Sequence, residues 1–307
     1  MIRDVSMTQS ASYRDALVRH RLLIPTAVRG VYGFGAEFDR VLQRLDALIT
    51  RAGEDSRAEV VRFPSLLSRG DLEASGYLKS FPHLVGAIHA FEGDERAHSE
   101  LLQAVARGGR WSNAFEPTDV VLNPAACYPI YPTLGGLTLP ASGWIFDVLG
   151  VCFRQEPSDD PTRMRMFRQR EYVYVGEADA SRAHRDLWLD RAQAMLCALE
   201  LPVDAVVANN PFFGRGGLML AASQREQALK FELVVPIGSV DRPTACVSCN
   251  YHQDTFGRAF EIRNARGSFA HSACVGFGLE RITLGLFKHH GFQVDAWPPK
   301  VLATLGV

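Results

Sequence analysis

The segment 152–176, CFRQEPSDDPTRMRMFRQREYVYVG, sets arginines, carboxylates and an aromatic ring two residues apart. Side chains alternate across a β-strand. Cys152, Arg154 and Glu156 therefore share one face of a first strand, and Arg163, Arg165, Phe167, Gln169 and Glu171 share one face of a second. Pro157, Ser158, Asp159, Asp160 and Pro161 break both helix and strand, so the segment reads as a long hairpin with a polar loop. A ring among guanidiniums can stack on a nucleobase while an arginine grips a phosphate bidentately. The same residues also suit a solvated charged face of an antiparallel sheet, against which only Phe167 speaks.

A second segment with chemical potential is SACVGFGLERITLGLF, which runs from small residues through Gly276 and Gly278 into a helix. Leu279, Ile282, Leu286 and Phe287 recur at helical spacing, and Arg281 sits in the first turn, where a helix N-terminus favours anions. Short glycine motifs recur by accident, so an ordinary surface arginine explains Arg281 equally well. The six cysteines are Cys127, Cys152, Cys197, Cys246, Cys249 and Cys274. Any one of them is by default a buried small hydrophobe. Cys246 and Cys249 form a CxxC with no second pair at zinc-finger spacing and read as strand core, as do Cys152 and Cys197. No role is assigned to His252, His271, His289 or His290.

These residues need a scaffold. Residues 36–52 place Phe38, Val41, Leu42, Leu45, Leu48 and Ile49 at helical spacing. Residues 177–201 do the same with Trp188, Ala192, Met195, Leu196 and Leu199 before Pro202. Strands are expected at 119–124, 144–156, 166–176, 230–238 and 259–266, rich in Val, Phe, Tyr and Ile. Strands and helices do not alternate regularly and there is no Walker-type loop. An α+β fold with an antiparallel sheet and packed helices follows.

The chain has 307 residues, 47% of them hydrophobic, which is enough for a substantial core. Its 33 Lys and Arg balance 34 Asp and Glu, so the basic footprint of a broad nucleic-acid binder is missing. No signal-peptide-like or membrane-spanning run occurs, and a cytoplasmic location with reduced cysteines is expected.

Taken together, FRQE at 153–156, the RxxxF from Arg163 to Phe167 and GFGLER at 276–281 resemble motifs 2 and 3 of class II aminoacyl-tRNA synthetases, in the same order. KFELVVPIG followed by CVSCNYHQDTFGRAFEIR resembles the seryl branch, and GYLKSFPHLVGAIHAF around Pro82 is the candidate for motif 1. No heptad arm of the kind a coiled coil demands is present, so the tRNA-recognition part is expected to be missing. Over residues 60–307 the chain is similar to the amino acid:[carrier protein] ligases, truncated homologues of atypical, zinc-dependent seryl-tRNA synthetases.

The resemblance implies a class II synthetase-like antiparallel sheet flanked by helices. A helical segment at 1–60 would precede a catalytic core at 61–307, with a helical insertion near 214–229 as the carrier-protein dock. It implies ATP and Mg²⁺, with Arg154 on the α-phosphate, Glu156 at the adenine amino group, Arg163 near the outer phosphates, and adenine between Phe167 and Arg281. Glu232 is a candidate for a Mg²⁺ ligand. Cys127, Glu171 and Cys274 match the family's zinc ligands and would leave a fourth position for the substrate amine. The implied reaction activates a small amino acid, glycine or alanine, as an aminoacyl-adenylate and passes it to the phosphopantetheine thiol of a carrier protein. The enzyme would be a homodimer with no tRNA or membrane partner. Two other readings are a true tRNA-acylating enzyme and a catalytically silent regulatory paralogue. The first would need a basic RNA-binding module, and the second would have no chemical use for these arginines and ligands.

Overall fold

The computed structural model describes residues 13–210, 227–239 and 241–307, together with 219, 221, 222 and 224. Seven strands build the principal sheet: β3 (Glu59–Arg62), β7 (Trp144–Phe153), β8 (Met166–Gly176), β9 (Asp204–Val207), β10 (Lys230–Val235), β11 (Thr244–Gln253) and β12 (His271–Gly278). Their order is β3-β7-β8-β12-β11-β10-β9, and every pairing is antiparallel except β3 with β7. A hairpin of β1 (Leu23–Pro25) and β2 (Tyr32–Phe34) and a three-stranded sheet of β4 (Leu66–Ser68), β6 (Glu116–Leu122) and β5 (Ala87–Ala90) stand outside it.

Helices cover one face of the large sheet. α1 (Ala36–Gly53) buries Phe38, Val41, Leu42, Leu45 and Ile49, the positions that its 3.6-residue period assigns to one side. α2 (Ala178–Ala198) turns Trp188, Ala192, Met195 and Leu196 inward, and α3 (Leu279–His290) buries Leu279, Ile282, Leu286 and Phe287. With α4 (Pro299–Leu305) they enclose one cluster that runs from Leu17 and Phe38 through Tyr172, Val275 and Cys249 to Leu305. Residues within 1–60 thus share their core with the C-terminal helices. The end of α1 lies so close to β8 that a methyl group on Gly53 would overlap the Tyr172 ring.

The opposite face carries the second cluster, in which Cys127, Val148, Cys152, Val173 and Cys274 pack with Tyr131 and Phe256. Register defines what this face presents. Val148 pairs with Glu171, Glu171 with Gly276, Gly276 with Ser248 and Ser248 with Glu232, which makes one cross-strand row.

Some expected elements differ. The first hairpin strand stops at Phe153, and β8 begins only at Met166, so Arg154, Glu156, Arg163 and Arg165 belong to the connecting loop and not to alternating strand faces. Residues 259–266 are not a strand. Thr255–Ala259 is helical, and the Asn264 side-chain oxygen then accepts from the Arg266 and Ser268 amides and folds a turn that Gly267 completes at φ +79°. Cys197 is exposed rather than core. It lies nine positions beyond Trp188, about 180° around a helix advancing about 100° per residue, and so faces away from the sheet. The Pro82 segment forms a short helix, a 3₁₀ turn and β5 of the small sheet, whereas the helix-and-edge-strand unit of the large sheet is α1 with β3. The insertion expected at 214–229 lies mostly outside the described residues.

Candidate active site

β8 delivers Glu171 to the middle of the open face, and β12 brings Cys274 beside it, one step along the register. Cys127 comes from the turn between β6 and the Ile130–Thr133 helix. All three are buried, and one ligand atom from each lies within 4.8 Å of the others. Glu171 Oε2 is buried without a hydrogen-bond partner. Burial pushes the Glu171 carboxyl well above its usual range, with the Cys274 thiolate adding repulsion. The Cys127 thiol, which donates to Cys274, is pushed up by that bond and by burial. Cys274 is held down as the acceptor of the Cys127 thiol, with His252 and Asn250 also favouring its anion.

Two sulfurs and a carboxylate with an orphaned oxygen, buried together, lack the positive charge that would make them stable as anions. The donor set fits zinc, which prefers thiolate with nitrogen or oxygen ligands. Three protein ligands leave one position open. The residues named from the sequence as metal ligands are therefore brought together.

His252 was assigned no role from the sequence, yet its Nε2 lies 3.6 Å from Cys274 Sγ and its Nδ1 lies 3.0 Å from the Ser272 hydroxyl. The Asn250 side-chain amide points at the same sulfur, 3.5 Å away, from the position directly opposite Cys274. Two-residue alternation from Asn250 to His252 on β11 is the local signal, but it acquires meaning only once β11 is known to pair with β12. The other histidines stay outside the site. His289 and His290 occupy the last turn of α3 and lie within hydrogen-bond reach of the Pro236 and Leu199 carbonyls.

A second group surrounds the 157–165 loop. The Arg154 guanidinium lies 5.3 Å from the Phe167 ring centre, and its Nε donates to the Pro124 carbonyl at 3.1 Å. Arg163 pairs with Glu156 at 3.3 Å. Arg281 donates to the carbonyls of Thr162 at 2.9 Å and Ala245 at 3.0 Å. Burial first, and then the like charge of Arg154, pull the Arg281 guanidinium below its ordinary pKa. Arg154, Arg163 and Arg281 thus gather at this end of the face, with Glu156 paired to Arg163 and the loop carboxylates Asp160 and Asp159 turned to Thr162 and Arg29. Glu232, at the other end of the cross-strand row, is paired with Lys230 at 2.8 Å.

No protein-family model matches the chain. It is 47% identical over 282 residues to amino acid–[acyl-carrier-protein] ligase 2 of Bradyrhizobium diazoefficiens, covering 91% of this chain and 83% of that protein. Ligase 1 of the same organism is 44% identical over 279 residues, covering 91% and 85%. A type-2 serine–tRNA ligase of Methanopyrus kandleri is 28% identical over 202 residues, which is 60% of this chain and 37% of that one. Among solved structures, the M. kandleri seryl-tRNA synthetase in complex with A. aeolicus tRNASec superposes with a TM-score of 0.82 at 20% identity, over 95% of this chain and 60% of that one. The Pyrococcus horikoshii seryl-tRNA synthetase complexed with ATP gives 0.65 at 14% identity, over 99% and 62%. These structural likenesses establish a class II seryl-tRNA synthetase fold. The two Bradyrhizobium relatives, matched over most of both lengths, establish the rest: the chain is a ligase and belongs to the amino acid–[acyl-carrier-protein] ligase family.

Proposed function

We propose that the chain activates a small amino acid, glycine or alanine, with ATP and transfers the aminoacyl group to the phosphopantetheine thiol of a carrier protein. The observation that carries this reading is the burial of Cys127, Glu171 and Cys274 beside the cluster of Arg154, Arg163 and Arg281, near enough for the Arg154 charge to act on Glu171. One end of that site suits a metal ion and the other a polyphosphate.

ATP would place its adenine against Phe167, with Arg281 on the other side and Glu156 at the amino group. Arg154 would meet the α-phosphate, and Arg163, with Mg²⁺, the outer phosphates. Cys127, Glu171 and Cys274 would hold a zinc ion, which when bound would act as a Lewis acid toward the neutral α-amine. The substrate carboxylate is already ionised and needs no general base. Its oxygen attacks the α-phosphorus as the bond to the β-phosphate oxygen breaks, and pyrophosphate leaves with that electron pair. Arg154 neutralises the charge that builds on the α-phosphate oxygens. In the second step a carrier thiolate, its proton lost to solvent, forms the C–S bond and AMP leaves with the acyl oxygen.

Tyr131 and Phe256, stacked 3.9 Å apart, and Tyr128, edge-on to Phe256, fill the space beside Cys127, which supports a small substrate. The near-equal charge balance supports a protein acceptor over tRNA. Val60, 64% exposed on β3, the edge strand among the described residues, supports a homodimer across that edge. Among the described residues no helix is long and apolar enough to cross a membrane.

The test is amino-acid-dependent pyrophosphate exchange on metal-quantified protein, across all twenty amino acids, repeated for Cys127→Ala and Cys274→Ala. Exchange with glycine or alanine that disappears with the zinc is the expected result, followed by acylation of a phosphopantetheinylated carrier but not of tRNA. Absence of exchange with every amino acid would overturn the reading.

A further inference from the structure

The β1–β2 hairpin does more than cover the core. Its turn, residues 26–31, is closed by the Thr26 hydroxyl, which accepts from the Val28 amide at 3.1 Å and lies 2.9 Å from the Val31 carbonyl. At its tip the Gly30 carbonyl accepts the Arg165 amide at 2.8 Å, and the Arg29 guanidinium holds Asp159 through Nε and Nη2 at 3.1 and 2.7 Å. Gly30 stands at φ +77°, and a β-carbon there would lie 3.4 Å from Arg165 Cγ and 3.5 Å from the Ser158 amide nitrogen. Arg29 thus holds the first part of the 157–165 loop and its neighbour Gly30 holds the last residue.

The loop has two other moorings. The Arg154 amide donates to the Arg165 carbonyl at 2.8 Å, and Arg281 donates to Thr162. Within it, Asp160 accepts from the Thr162 amide and hydroxyl and its carbonyl accepts the Arg163 amide, so Arg163 is aimed by a turn rather than by a strand. Arg154 and Arg281 are themselves part of the arginine cluster. The hairpin is the one mooring of these three that comes from outside it.

We propose that the hairpin tip is a strut that holds the 157–165 loop ready for the triphosphate, with Arg29 as a positioning residue acting through Asp159. The proposal rests on the ATP reading above. A loop fixed before the nucleotide arrives need not be ordered by it, so the strut acts on ATP binding rather than on the chemical step. The Arg29 and Asp159 side chains are 58% and 62% exposed, so their pair contributes little to global stability and can be altered without unfolding the chain.

The experiment compares the full-length, zinc-loaded chain with Arg29→Asp, which opposes two carboxylates, with the milder Arg29→Gln, and with the charge-swapped Arg29→Asp/Asp159→Arg double variant. Hydrogen exchange of the loop amides is read without nucleotide, and the KM for ATP, the KM for the amino acid and kcat are read in the adenylation assay. The expected result is faster exchange confined to 157–165 and an ATP KM raised about fivefold at low salt, the scale of an exposed ion pair. The amino-acid KM and kcat stay unchanged, Arg29→Gln gives a smaller effect in the same direction, and the swap restores both readouts. Unchanged loop exchange in Arg29→Asp, or faster exchange with an unaltered ATP KM, overturns the proposal. Because the exchange readout needs no reaction, a chain that proves unable to use ATP would refute the functional reading separately.

Discussion

His252 Nε2 stands 3.6 Å from Cys274 Sγ, and its other ring nitrogen is occupied by Ser272 and approached by the Tyr131 hydroxyl at 3.4 Å. If Cys274 ligates zinc as proposed, a donor aimed at its thiolate spreads that sulfur's charge and fixes its direction. His252→Ala should therefore weaken zinc binding about tenfold, measured by competition with a chelator of known affinity. The thiolate-to-metal absorption band of cobalt-substituted protein should shift. An unchanged band and affinity would show that the imidazole only fills space.

Zinc binding should release protons. Without metal, burial holds the Glu171 carboxyl above its usual pKa, and the bond to Cys274 together with burial does the same for the Cys127 thiol, so both bind their protons more readily than they would in water. The metal requires their anions, so its affinity should rise with pH through the neutral range. Calorimetric titration in two buffers of different ionisation enthalpy measures the proton count directly. A count of zero would contradict the protonation states argued here.

Arg154 and Phe167 should separate kinetically. Arg154→Ala removes charge stabilisation at the α-phosphate and should lower kcat for pyrophosphate exchange about 10²–10³-fold, the usual cost of one preorganised donor. Phe167→Ala removes a stacking surface and should act mainly on the KM for ATP. Equal effects of the two variants on kcat alone would argue against the assigned division of roles.

His184 should set part of the acid limit of stability. It is buried on α2, within hydrogen-bond reach of the Tyr172 carbonyl, and burial lowers its pKa to about 4 from an ordinary 6.5. Folded His184 thus binds its proton less readily than the unfolded chain does. Its contribution is present above pH about 6.5 and is lost as pH falls toward about 4, on the order of 3 kcal/mol across that window. His184→Gln, which keeps a donor for Tyr172, should flatten that part of the urea-unfolding profile against pH. A profile as steep as the parent's would assign the acid limit to other groups.

Much of this was legible in the sequence where the signal is local. The period of Phe38, Val41, Leu42, Leu45 and Ile49 defines α1 because one helix repeats every 3.6 residues whatever it packs against. The Val- and Tyr-rich run of β8 reads as a strand for the same local reason. FRQE, the Arg163–Phe167 spacing and GFGLER are legible together, because their order resembles that of motifs 2 and 3 of class II synthetases.

Tertiary structure decided what depends on pairing and register. Phe260 and Ile262 alternate as in a strand, but the side chain of Asn264 captures its own backbone and makes a turn that alternation cannot foresee. Nothing near Cys127 in the chain distinguishes it from a buried hydrophobe; it becomes a candidate ligand because Glu171 and Cys274 meet it across the sheet. His252 gains a role only because β11 lies against β12 with Asn250 opposite Cys274. The hairpin tip reaches the 157–165 loop through contacts between residues more than a hundred positions apart. Local propensity is written in neighbouring residues, whereas the meeting of distant side chains is settled by strand order and the burial that enforces it.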